Sequence, residues 1–141
     1  MFQGAHAYHI DEKGRLKMPA DFAQELGPSF TITRATQDCL WAMPPAAWAT
    51  IIERLKGSTM MDESLLELQR WFVGSAHTLS LDGQGRFTIP QQLREFAGIQ
   101  HELMMVGMID RIEIWSRERW NAGPGAVRND TIKHLASQAH L

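Results

Sequence analysis

Residues 9–27, HIDEKGRLKMPADFAQELG, return as residues 80–98, SLDGQGRFTIPQQLREFAG. Asp11, Gly14, Arg15 and Pro19 meet Asp82, Gly85, Arg86 and Pro90 at one constant offset of 71 residues, and Gly27 meets Gly98 at the same offset. Phe22 and Leu26 meet Leu93 and Ala97 in apolar character. After a one-residue loop difference the register becomes 72 and pairs Trp48 with Trp120. Self-similarity over most of both halves restricts the chain to folds built from two copies of one small unit.

Each half presents the same order of elements. AYHI (7–10) and HTLSL (77–81) alternate as short strands, Gly14 and Gly85 mark tight turns, and RLKMP (15–19) and RFTIP (86–90) resume the alternation. Leu16 and Met18, or Phe87 and Ile89, then share one face. Pro19 and Pro90 stand where a helix starts, and apolar residues recur at helical spacing until Gly27 and Gly98 stop it. Two further strands are expected in each half, FTITRA and CLWAM, then ELMMVGM and RIEIWS. A half is thus ββαββ, too small to bury its sheet alone. Between the halves, Trp48, Ile51, Ile52 and Leu55 predict one helix and Asp62 caps a second, a helical hairpin joining the repeats. A third helix is expected near Ser116, with Trp120 on its apolar face, and the Gly- and Pro-containing stretch from Asn121 is read as loose. The expected fold class is α+β, divided into a first repeat (1–50), a helical connector (51–75), a second repeat (76–121) and a tail (122–141).

The 141 residues, 44% of them hydrophobic, suffice for one core. No apolar run approaches the roughly 18 residues of a membrane span, and the opening MFQGAHAYHIDEKG lacks the pattern of an export signal. Cys39, the only cysteine, has no partner for a disulfide or a zinc knuckle, and is read as a small buried apolar residue in a reducing cytoplasm. The net charge of -2 runs against a stand-alone nucleic-acid binder. Any basic face must come from local clustering.

The repeated motif supplies such a cluster. Gly14 lets the chain turn sharply, and Arg15 can project as a planar fork suited to phosphate or guanine. Asp11 would orient Arg15 or brace the turn's amides, since a carboxylate aimed at DNA is repelled. Lys13, Arg15 and Lys17 give the first copy three cations; in the second, Gln84 and Thr88 flank Arg86 alone, so the first copy is expected to carry most of the electrostatic affinity. The plainer alternative is an Asp/Arg pair that staples a turn, worth roughly 0–1 kcal/mol when exposed. An enzyme could instead be built if Asp11 and Asp82 shared a proton across a pseudo-twofold axis, but an adjacent arginine would hold each carboxylate ionised. Gly57-Ser58 and Gly74-Ser75 are read as loop dipeptides and not as self-processing sites. His6, His9, His77, His101, His134 and His140 show no helical pair that would specify a metal. Trp41, Trp48, Trp71, Trp115 and Trp120 sit among apolar neighbours and are assigned to packing or subunit contact.

MFQGAHAYHIDEKGRLKMPADF, LDGQGRFTIPQQLREFAGI and IEIWSRERWN closely resemble the MraZ family of bacterial regulators of the division and cell-wall gene cluster, over residues 1 to about 121. The resemblance implies two AbrB-like (SpoVT-AbrB) swapped-hairpin domains forming an intramolecular pseudo-dimer. It further implies chains assembled as a homo-oligomeric ring, and double-stranded DNA with short promoter direct repeats as the ligand. By this resemblance the motif residues are Asp11, Gly14 and Arg15 with Asp82, Gly85 and Arg86, and Lys13 matches the usual lysine of the first copy. Gln3 departs from the arginine of the family's usual opening. The expectations are a cytoplasmic, nucleoid-associated regulator with no catalytic residues, no metal, no cofactor, no small-molecule substrate and no membrane. Arg15 would be the main DNA contact, aided by Lys13, Lys17 and Arg86, with an antitoxin-like module binding a protein as well as DNA as the alternative, and an Asp-dyad hydrolase behind it.

Overall fold

The computed structural model describes residues 1–57 and 62–141. The first repeat comprises β1 (Ala5–His9), β2 (Arg15–Lys17), α1 (Ala20–Leu26), β3 (Ser29–Arg34) and β4 (Leu40–Met43). The second comprises β5 (His77–Ser80), β6 (Arg86–Thr88), α4 (Gln91–Ala97), β7 (Glu102–Gly107) and β8 (Ile112–Ser116), with α2 (Pro45–Lys56) and α3 (Glu63–Phe72) between them. α5 (Arg117–Ala122), a short 3-10 turn (Pro124–Ala126) and α6 (Asn129–Gln138) complete the chain. The expected α+β class holds, as an antiparallel sheet with helices.

Pairing is exchanged between the repeats. The large sheet runs β1-β7-β8-β4-β3-β5, and a separate two-stranded ribbon joins β2 to β6. β1 lies along β7 from Ala5 opposite Val106 to His9 opposite Glu102, and β5 lies along β3 from Ser29 opposite Ser80 to Ile32 opposite His77. The first strand of each repeat therefore borders the third strand of the other. The strand, turn, strand unit expected around each glycine is present, and its two flanking strands form no ladder with each other. Beyond the turn they separate, and β2 pairs instead with β6, which brings Leu16 and Phe87 face to face over the shared core.

That burial explains the ribbon. Leu16 and Phe87 sit opposite each other, 1% and 4% exposed. They pack into one core with Met18, Ile89, Phe22 and Leu93, and Phe87 meets Phe30 of the large sheet edge-to-face at 5.5 Å between ring centres. Neither repeat's helix covers a sheet of its own; both close a shared interior.

In the connector, the Asp62 side chain accepts the Leu65 N–H and caps α3, as expected. Gln69 of α3 donates to the Leu55 carbonyl of α2 at 2.6 Å, tying the two helices together. Ser116 caps α5 through the Arg119 N–H. Ser75 has a packing role: its hydroxyl donates to the Trp71 carbonyl at 2.7 Å and lies 2.9 Å from the Thr33 hydroxyl. Ser58 falls outside the described residues. The Trp71 indole N–H donates to the Ala35 carbonyl at 2.9 Å while the Arg34 guanidinium stacks 4.0 Å over its ring. Trp115 is buried beside Cys39 and Trp120. Burial also pushes the Cys39 thiol far above its ordinary pKa.

The tail corrects one expectation. Read as loose from Asn121, it contains the ten-residue helix α6. Gly123, Pro124 and Gly125 end α5 as their composition suggests, but Ile132, Leu135 and Ala136 then recur at helical spacing. Everything from Asn121 onward is exposed except the half-buried Ala136.

Candidate nucleic-acid interface

The two glycine turns are built alike, bond for bond. In the first, the Asp11 N–H donates to the Arg15 carbonyl at 2.8 Å and the Gly14 N–H to the Asp11 carbonyl at 3.0 Å. In the second, Asp82 and Arg86 bond at 2.8 Å and Gly85 and Asp82 at 3.0 Å. Gly14 and Gly85 have φ of +78° and +74°, a left-handed conformation that a side chain disfavours, which is why glycine stands there.

Each aspartate is divided between backbone and arginine. Oδ1 of Asp11 accepts the N–H groups of Lys13 and Arg15 at 2.9 and 2.8 Å, and Oδ2 accepts Nε of Arg15 at 2.9 Å. Oδ1 of Asp82 accepts those of Gln84 and Arg86, both at 2.9 Å, and Oδ2 accepts Nε of Arg86 at 3.0 Å. The Arg15 N–H does most to hold the Asp11 carboxyl below the ordinary carboxylate range, overcoming a desolvation penalty, with the guanidinium adding to it. The Arg86 N–H acts likewise on Asp82. Both carboxylates are thus ionised and committed to their own turns, the reverse of what a shared-proton dyad requires.

The arginines keep their outer nitrogens. Only Nε is engaged by aspartate, and among the described residues no hydrogen bond takes the two terminal nitrogens of Arg15 or Arg86. A guanidinium fixed at one edge presents the other as a two-pronged donor, the geometry that suits phosphate oxygens or a guanine edge.

The ribbon gathers the predicted residues. Arg15 faces Thr88, Leu16 faces Phe87, and Lys17 faces Arg86. Since Leu16 and Phe87 point into the core, alternation puts Arg15, Lys17 and Arg86 together on the opposite face. Lys13, at the tip of the first turn, is exposed. All four predicted cations thus belong to the ribbon and its turns.

Two contacts escaped the sequence. Lys17 donates from Nζ to the Gln84 carbonyl of the second turn at 2.8 Å, a bond between residues 67 apart. Arg94 of α4 brings Nη1 to 3.9 Å from where a Cβ on Gly14 would lie, while Nη2 donates to the Gln100 carbonyl at 3.4 Å. Each turn thus has a cation from the other repeat beside it. The expected imbalance of three cations against one becomes smaller when neighbours in space are counted. No local pattern could reveal this, because both contacts follow from the exchanged pairing.

The family described as "MraZ protein, putative antitoxin-like" matches residues 1–68 and 72–126. The "Transcriptional regulator MraZ" of Moorella thermoacetica is 40% identical over 120 residues, covering 85% of this chain and 84% of that protein. That of Clostridium tetani is 38% identical over the same shares of the two chains. That of Lachnoclostridium phytofermentans is 35% identical over 136 residues and 96% of both chains. The name these relatives share is that of a regulator and not of an enzyme, in keeping with the expectation from the sequence. Two Asp–Arg turns on one ribbon, family matches over both halves and relatives aligned nearly end to end lead to one conclusion: the chain belongs to the MraZ family, whose members are transcriptional regulators without a catalytic role.

Proposed function

We propose that this regulator binds double-stranded DNA in a sequence-specific manner through the two turns of the β2–β6 ribbon. The observation that carries the proposal is the shared outward face on which Arg15 and Arg86 stand, each held through Nε by its own aspartate, with no hydrogen bond to its terminal nitrogens among the described residues. Arg15 is the principal contact, Lys13 and Arg86 assist, and Lys17 contributes to the same surface. Asp11 and Asp82 orient the turns, and Gly14 and Gly85 shape them. The exchanged strand pairing supports two AbrB-like swapped-hairpin repeats, 1–50 and 76–121, acting as an intramolecular pseudo-dimer around the connector 51–75.

One chain offers few cations and a net charge of -2, so a single ribbon would hold DNA weakly. Several chains in a ring, each on one of a series of short promoter direct repeats, would gain through effective concentration. By family resemblance the target is the promoter of the division and cell-wall gene cluster, and the protein works in the cytoplasm on the nucleoid. Arg15→Ala should abolish or greatly weaken retardation of that promoter fragment in a gel shift while the oligomer seen by size exclusion stays intact; undiminished retardation would overturn the proposal. Arg86→Ala should do less harm in the same salt-titrated binding, and an equal or larger loss would show that both turns contribute alike.

An antitoxin-like role, with a protein partner besides DNA, is favoured by the wording of the family description and by the exposed apolar residues Ile132 and Leu135 of α6. Binding of a protein partner that is lost on deletion of 122–141, with DNA retardation unchanged, would support it.

A further inference from the structure

Lys17 carries its charge on the same outward face as Arg15, but its ammonium is already engaged. Nζ donates at 2.8 Å to the Gln84 carbonyl, at the tip of the second turn, and the next carbonyl, that of Gly85, accepts the Met18 N–H at 2.9 Å. Two successive carbonyls of the second turn are therefore held by two successive residues of the first repeat. A Cβ on Gly85 would lie 3.8 Å from Cε of Lys17, so the aliphatic stem also packs along the turn.

The first turn has no such support. The residue corresponding to Lys17 is Thr88, too short to span the ribbon, and among the described residues no side chain of the second repeat bonds to a carbonyl of residues 11–14. Arg94 lies near Gly14 but spends its hydrogen bond on Gln100. The bond also answers an electrostatic difficulty. Lys17 stands directly across the ladder from Arg86, and like charges so placed repel unless something draws one of them aside. The Gln84 carbonyl does this.

We infer that Lys17 is a positioning residue for the second turn, a strut from the first repeat that fixes the loop carrying Arg86 before DNA arrives, and not a phosphate contact in its own right. The inference builds on the proposal that the second turn faces DNA. Fixing the turn in advance removes an ordering cost from binding, so the strut raises affinity without adding a neutralised phosphate. The two turns then divide the work: the first carries more of its own charge, and the second is held more rigidly.

The test is Lys17→Met, with Lys17→Arg as the conservative rescue, in the full chain. In the free protein, amide hydrogen exchange should accelerate at Gly85 and Arg86 in Lys17→Met while Gly14 and Arg15 keep their rates and the urea midpoint does not move. Lys17→Arg should restore the slow rates. With a promoter fragment, Lys17→Met should lose about three- to tenfold in affinity, and the slope of log K against log salt should stay that of the wild type. If Lys17 touches phosphate instead, the slope falls by about one per site, and unchanged exchange at Gly85 and Arg86 accompanies it; that pair of results overturns the inference. Should the protein not bind DNA at all, the exchange rates still decide whether the strut exists, so the failure of one proposal is distinguishable from the failure of the other.

Discussion

The turn at residues 11–15 and the turn at residues 82–86 have the same internal bonds at nearly the same lengths, yet different surroundings. One has Arg94 leaning toward its glycine; the other has Lys17 bonded to its tip. The same bonds recur within both five-residue turns, because one aspartate satisfies two N–H groups and one arginine whatever lies outside. What stands beyond those five residues diverged, because each repeat supplies the other's environment. Part of the difference between the copies therefore lies in the opposite half of the chain, beside the exchange of Lys13 for Gln84 within the turn itself.

The comparison can be strained first at its core. Leu16 and Phe87 occupy equivalent places under the ribbon, and truncating either to alanine removes buried contacts for both turns. Phe87→Ala is expected to cost about 3–5 kcal/mol and Leu16→Ala about 2–5 kcal/mol in urea unfolding. Because the ribbon is shared, either variant should raise amide exchange in both turns; a change confined to one would show that they are supported separately. A smaller effect is expected at the glycines. Gly14→Ala and Gly85→Ala both force a side chain into a left-handed backbone, and a Cβ meets nothing closer than 3.8 Å at either position. Each should cost about 1–2 kcal/mol from conformation alone, and unequal melting temperatures for the pair would point to Lys17 or Arg94 as the source of the inequality.

The smallest effect is the most symmetrical. Asp11 and Asp82 both have pKa values lowered by folding, so each stabilises the protein above its unfolded value and loses that contribution as pH falls through its folded value. Stability should therefore decline on the acid side of about pH 4. Asp11→Asn and Asp82→Asn should each flatten the same share of that decline in unfolding midpoints taken from about pH 6 to pH 3. Unequal shares would reveal a hidden difference between the turns.

Much of this was legible in the sequence, for reasons of range. Strands and helices followed from alternation and helical spacing, which report burial of neighbours a few residues apart, and the turn bonds followed from a motif five residues long. Which strand lies beside which did not, since Ala5 and Tyr8 carry no mark that selects Val106 and Leu103 as their neighbours. The strut from Lys17 and the approach of Arg94 were hidden for the same reason. The helix α6 was obscured differently: Gly123, Pro124 and Gly125 dominated the reading of a segment whose second half is regular.

The pairing of β1 with β7 has a consequence for synthesis. Ala5 leaves the ribosome well ahead of Val106, its partner across the ladder. Until Val106 follows, β1 has no strand to pair with, since β7 is its only ladder partner among the described residues, and the half that contains it must wait, uncompleted, for the half that closes it. Contacts between such distant residues slow folding and lengthen the exposure of unpaired strands. A chain interrupted after the first repeat would thus be left with β1 unpaired, which makes synthesis of the second repeat a condition for a stable regulator.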